Sequence, residues 1–188
     1  LPEGTVVIKD SQKIYDLAGI MGGEISEVSS ETKTIILQSA IFDPILIRRA
    51  SKKLNLTTDA SYRYERGVDY EGTILGVDLA ASLTLESCPN AEISPLIDLK
   101  NKEITIPEIA IEKEKVNKLL GINIEISQMA EFLTRLNLEI KEKDKQKMSV
   151  FPPSYRIYDV KIWQDVAEEI ARIYGYNNIS KNEFEKSA

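Results

Sequence analysis

Between Leu17 and Asp69 the chain reads LAGIMGGEISEVSSETKTIILQSAIFDPILIRRASKKLNLTTDASYRYERGVD. A glycine-bearing turn (Gly19, Gly22, Gly23) leads to a β-branched run (Thr34 to Leu37), then to a helix-period segment, then to a second polar turn, Thr57-Thr58-Asp59-Ala60-Ser61. That succession confines the stretch to one α/β unit in which two backbone-exposing loops lie near one strand. The glycines let main chain approach a ligand where a Cβ would collide, and they permit positive φ. The second turn opens a helical turn, whose free N–H groups can receive an oxygen or an anion. Two readings fit these residues: a ligand site, or plain turns with Thr58 or Asp59 capping a helix. Physics alone favours the plain one. No Lys-Ser/Thr follows the glycines and no G-x-G-x-x-G is present, so the loop is not read as a nucleotide-binding one.

Composition narrows the classes further. With 188 residues and 43% hydrophobic content, the chain can bury the core of one large or two small domains. The single cysteine, Cys88, and the absence of histidine remove an internal disulfide, a Cys–His nucleophile pair and a Cys/His zinc cluster. Cys88 is therefore expected to be a small buried or half-buried residue. Apolar stretches such as ILGVDLAASLTL are interrupted by charge and fall short of the roughly 20 residues of a membrane span. No secretory leader is visible at the start. The expectation is a cytoplasmic chain with no membrane contact.

The formal net charge of −6 weakens any expectation of tight nucleic-acid binding by this chain alone, because phosphate recognition depends on clustered cations. One local cluster exists, Arg48, Arg49, Lys52 and Lys53, around a helix whose Ile45, Leu46, Ala50 and Leu54 are available to a core. A solvated helix face is the plainer reading of that cluster, and phosphate contact the other.

Composition divides the chain near residue 100, into an α/β (α+β) part over 1–100, a small α+β part over 101–180 and a tail over 181–188. In the first part the patterns predict strands at Thr5 to Ile8, Ile14 to Leu17 and Thr34 to Ser39. Helices follow at Pro44 to Leu54 and from about Tyr70 to Glu86, and Cys88-Pro89-Asn90 stops the second of them. The second part is predicted to hold a short strand at Glu103 to Ile106, a helix at Lys113 to Leu119 stopped by Gly121, and a helix from Ser127, as N-cap, to Leu136. Paired strands at Leu138 to Lys141 and Lys147 to Phe151 and a last helix from Ile162 to Tyr174 complete it. Two helices followed by a hairpin resemble a winged helix. A fold is not a function, however, and the few cations there argue against DNA recognition.

The last helix carries a second constellation. Asp165, Glu168 and Glu169 stand at i, i+3 and i+4 in its first turns, and Asp159 lies six residues before Asp165. Four carboxylates could offer hard oxygen ligands to Mg²⁺. They could equally complement the helix dipole, with Glu168 and Arg172 as an i, i+4 pair, and spacing alone favours this second reading.

Three runs, LAGIMGGE, SAIFDPILIRRASKKLNLTTDASYRYERGVD and DVAEEIARIYGY, resemble in order the beta subunits of bacterial-type phenylalanyl-tRNA synthetases. The resemblance spans nearly the whole chain. It implies the C-terminal half of the editing domain followed by the fifth, winged-helix-like domain, within a much longer subunit. It implies as partners an alpha subunit, in a heterotetramer of two alpha and two beta chains, and tRNA for phenylalanine. Aminoacylation with ATP and phenylalanine is then expected on the alpha chain, and hydrolysis of mischarged tyrosyl-tRNA on this one.

Residue by residue, the resemblance implies an editing pocket at Gly22, Gln38, Thr58 and Ala60. The family usually has Glu where Gln38 stands, so a charge-assisted bond to the tyrosine phenol becomes a neutral one. The same resemblance implies a magnesium site, shared with the alpha chain, at Asp159, Asp165, Glu168 and Glu169. Two residues separate Arg156 from Asp159 where the family usually has one, which makes Asp159 the least secure member. Upstream pocket residues of the family, a histidine among them, are absent from this sequence. The alternative function is a structural subunit module with a decayed pocket.

Overall fold

The computed structural model describes residues 1–180, so the tail expected over 181–188 lies outside the described residues. The chain separates into two compact units, Leu1–Glu103 and a second beginning at Ile104.

The first unit opens with a three-stranded antiparallel meander of β1 (Val7–Lys9), β2 (Ile14–Leu17) and β3 (Met21–Gly22). Asp10 shapes its first turn, its carboxylate accepting from the backbone N–H of Gln12 and of Lys13, each at 2.7 Å. Ile8 faces Asp16 across one pair, and Asp16 faces Gly22 across the next. Helix α1 (Pro44–Leu54) begins where Asp43 accepts from the N–H groups of Ile45 and Leu46 at 2.8 and 3.2 Å, with Pro44 at its first position. Asn55 ends it in the left-handed region, φ 53°. Two further helices follow, α2 (Asp59–Tyr64) and α3 (Gly72–Ser87).

The core here is small. Ile20, Ile47 and Ala50 are buried, and Leu17, Phe42, Leu56 and Tyr64 pack on them. The strand expected at Thr34 to Ser39 is not formed: residues 32–43 carry no regular structure, and Ile36 is 93% exposed. A β-branched run becomes a strand only when a neighbour takes its backbone hydrogen bonds, and among the described residues none does. Helix α3, apolar on all sides, has no buried residue, and Cys88 after it is exposed rather than buried.

In the second unit β4 (Ile109–Glu112), β5 (Glu139–Glu142) and β6 (Lys147–Phe151) form an antiparallel sheet in the order β4-β6-β5. Helices α4 (Lys113–Leu120), α5 (Ile126–Thr134) and α6 (Trp163–Tyr174) pack on it. The first strand lies later than the expected Glu103 to Ile106. Pro107 cannot donate to a ladder and follows that run directly, whereas Ile109 and Ile111 alternate inward and are buried. Ser127 is not the N-cap of α5. Ile126, Met129, Ala130 and Leu133 form a buried stripe that draws the helix start two residues further back, and Glu125 occupies the cap position without a side-chain bond. Gly121 does end α4 in the left-handed region, φ 66°. Among the described residues no helix is long and apolar enough to cross a membrane.

Candidate functional site

The two loops of the first unit are held together by one side chain. Thr58 Oγ1 donates to the carbonyl of Ile20 at 2.6 Å and accepts from the Ser61 N–H at 3.1 Å. Ser61 returns the contact, its Oγ accepting from the Thr58 N–H at 2.9 Å, which completes a capping box at the start of α2. The Thr58 hydroxyl proton is thus committed to the protein, and what remains for a ligand is a lone pair.

Ile20 leads directly into β3, which ends at Gly22. A Cβ built on Gly22 would meet no atom within 4 Å, so space lies open there. Gly19 and Gly23 are glycines for structural reasons. Gly19 has φ 66°, and its Cβ would come within 3.0 to 3.2 Å of Phe42, Tyr64 and Ile47; a Cβ on Gly23 would stand 2.4 Å from the Tyr15 carbonyl oxygen.

Ala60 sits in the first turn of α2. Thr58 and Ala60 therefore share one end of a helix that is tied to the strand bearing Gly22. Gln38 lies in the exposed, unpaired stretch, and among the described residues its side chain makes no hydrogen bond that would join it to the other three.

One carboxylate that the sequence reading passed over stands in register with Gly22. Burial pushes the Asp16 carboxyl above its ordinary range. Burial and then the nearby Asp16 charge push up the Tyr64 phenol, whose ring lies 5.1 Å from that of Phe42. Only the strand register reveals that Asp16 opposes the glycine.

In the second unit the four acids do not converge. Asp165 Oδ2 accepts from the N–H groups of Lys161 and Ile162 at 2.8 and 3.0 Å, closing the start of α6. Glu168 is exposed, while Glu169, only 8% exposed, turns inward. Arg156 bridges Asp159 at 2.6 Å and Glu169 at 2.7 Å, and Arg172 takes the other Glu169 oxygen. Arg172 therefore pairs with Glu169 rather than Glu168. Burial raises the Glu169 carboxyl, but hydrogen bonds from Arg156 and Arg172 outweigh it and hold the group below its ordinary range. Asp159 first and Glu169 second hold the Arg156 guanidinium above its own.

Hard oxygen donors suit Mg²⁺ in kind. In this arrangement, however, both Glu169 oxygens are taken by guanidinium groups. Among the described residues no three acidic, His or Cys groups gather where a metal ion could be held. Neither Asp165 nor Glu168 is engaged by a guanidinium group among the described residues.

The family model for the B3/4 domain matches residues 1–89, and that for the tRNA synthetase B5 domain matches residues 109–176. The chain is 42% identical over 182 residues to the phenylalanine–tRNA ligase beta subunit of Syntrophus aciditrophicus, covering 95% of this chain and 22% of that protein. The subunits of Geobacter metallireducens and Acinetobacter baylyi are 38% and 39% identical, each over 95% of this chain. The chain spans 22% and 23% of those two relatives' lengths. The boundary between the two structural units falls between the two matched domains. The chain thus belongs to the family of phenylalanine–tRNA ligase beta subunits, as a segment made of a B3/4 domain followed by a tRNA synthetase B5 domain.

Proposed function

We propose that the protein is the beta subunit of a cytoplasmic phenylalanine–tRNA ligase, and that this segment edits mischarged tyrosyl-tRNA and helps to assemble the enzyme. In that reading an alpha partner joins phenylalanine to its tRNA with ATP, releasing AMP and pyrophosphate, within a heterotetramer of two alpha and two beta chains. The observation that supports editing is the Thr58 to Ile20 hydrogen bond, which ties the helix start bearing Thr58 and Ala60 to the strand bearing Gly22.

Editing is ester hydrolysis. A water oxygen bonds to the carbonyl carbon of the tyrosyl ester, the bond from that carbon to the terminal ribose oxygen breaks, and a proton passes to the ribose oxygen. Gly22 leaves room for the aminoacyl group, Ala60 forms a small wall, and Thr58 offers a lone pair. Water attack then relies on positioning and on hydroxyls of the tRNA itself. Gln38 supplies a neutral acceptor for the phenol. Its weaker bond reduces discrimination by about 1 kcal/mol, roughly fivefold.

In the assembled enzyme, Asp165 and Glu168 would be the acids left to offer oxygens to Mg²⁺, since Arg156 engages Asp159 and Glu169. A magnesium-dependent rise in Tm of the alpha/beta complex, lost in Asp165→Asn with Glu168→Gln, tests this.

A structural module with a decayed pocket is the second reading, favoured by Gln38, which lies in an exposed, unpaired stretch and, among the described residues, is not joined to the other three. Deacylation of tyrosyl-tRNA by the alpha/beta enzyme separates the two.

A further inference from the structure

Helix α1 carries Arg48, Arg49, Lys52 and Lys53 and no acid, in a chain of net charge −6. Arg48 with Lys52, and Arg49 with Lys53, stand at i and i+4, where like charges repel and weaken a helix. The helix dipole favours the two lysines in the last turn but does nothing for two arginines in the middle. Among the described residues, none of the four joins an ion pair. Stability alone gives no reason for such a group.

Arg48, Arg49 and Lys52 line a groove of about 350 Å³ together with Pro44, Ile45 and Glu65. Glu65, its one acid, is already paired with Arg66 at 2.8 Å, so the three cations remain uncompensated. Just beyond α2, the Arg66 guanidinium lies 3.6 Å from the centre of the ring of Tyr62, a residue of α2 that is 56% exposed. An exposed aromatic with an arginine on it is the kind of surface on which nucleic-acid bases stack.

We propose that this face of α1, bordered by Glu65 just after α2, is an RNA-contact surface, with backbone phosphates of tRNA seated in the groove between Arg48, Arg49 and Lys52. Cations spread over a full helical turn suit a run of phosphates better than a single small anion. The surface rests on the reading of the protein as a tRNA ligase subunit. It adds a contact that Gly22, Gln38, Thr58 and Ala60 do not supply.

The test is binding of a phenylalanine tRNA transcript to the full alpha/beta enzyme between about 50 and 200 mM salt. Arg48→Gln, Arg49→Gln and Lys52→Gln are compared singly and together, with exposed Lys9→Gln as control. Each single change should flatten the slope of log K against log salt by about 0.7 to 0.9, and the triple change by about 2 to 3. In the triple variant KM for tRNA should rise roughly tenfold while kcat and the KM for phenylalanine and ATP hold. Its Tm should hold or rise as the like-charge repulsion goes, and Arg48→Lys with Arg49→Lys should keep the slope.

An unchanged slope in the triple variant, beside a parent enzyme that binds and charges the tRNA, would overturn the surface and leave the ligase reading standing. A parent enzyme that neither binds nor charges it would overturn both. Lost binding with a fallen Tm that the lysine variants do not restore would make the cations structural and overturn the proposal.

Discussion

Thr58 Oγ1 donates to the Ile20 carbonyl at 2.6 Å across 38 positions of sequence. The same oxygen accepts from the Ser61 N–H, so one hydroxyl caps α2 and fastens it to the strand before Gly22. Thr58→Ala should cost about 1–2 kcal/mol in urea unfolding, and Thr58→Ser should keep most of that stability. Deacylation should fall with Thr58→Ala and survive Thr58→Ser.

Gly19 and Gly22 should answer the same substitution in opposite ways. At Gly19 an alanine meets both a left-handed backbone and side chains as near as 3.0 Å, so Gly19→Ala should destabilise by more than about 1 kcal/mol. At Gly22 no neighbour lies within 4 Å, so Gly22→Ala should leave the urea midpoint nearly unchanged and lower deacylation by filling ligand space.

Glu169 and Glu168 are adjacent and should also differ. Glu169→Gln removes the charge that both Arg156 and Arg172 pair with, leaving Arg156 only Asp159, and should cost about 1–3 kcal/mol, whereas exposed Glu168→Gln should stay within about 0.5 kcal/mol. The folded Glu169 carboxyl is held below its ordinary range. Its contribution is therefore full above the unfolded value, about 4.3, and is lost as pH falls through the lower folded value. A melting series in acid should show a second-unit loss that Glu169→Gln abolishes.

Asp16 carries the opposite sign. Burial raises its folded carboxyl, so its contribution to stability is present below the unfolded value and is lost as pH rises through the folded one. Asp16→Asn should raise Tm at neutral pH and leave it nearly unchanged in acid. A fall in Tm at neutral pH would mean that the carboxylate is compensated.

Helix α1 was legible from Pro44 to Leu54 because its period is local, but its core face was read only in part: Ala50 is buried as expected, whereas Ile45 is 59% exposed and Ile47 takes the core position. Strand β6 was legible in the same way, from Lys147 to Phe151. Residues 34–39 have the composition of a strand, but pairing is a long-range property that composition does not contain. The site divides along the same line. That Thr58 caps a helix could be read from its neighbours, but its hold on Ile20 could not. The spacing of Asp165, Glu168 and Glu169 was visible, yet the insertion of Arg156 between Asp159 and Glu169 belongs to tertiary structure. Asp16 gave no sequence signal, since only strand register sets it opposite Gly22.

Deacylation of tyrosyl-tRNA for phenylalanine by the full alpha/beta enzyme, beside its Gln38→Glu and Thr58→Ala variants, tests the central claim most directly. Hydrolysis above the spontaneous rate is expected in the parent, with selectivity for tyrosyl over phenylalanyl ester raised roughly fivefold by Gln38→Glu and a loss with Thr58→Ala. Hydrolysis no faster than the spontaneous rate in both the parent and the Gln38→Glu enzyme would contradict it and leave the segment a structural module.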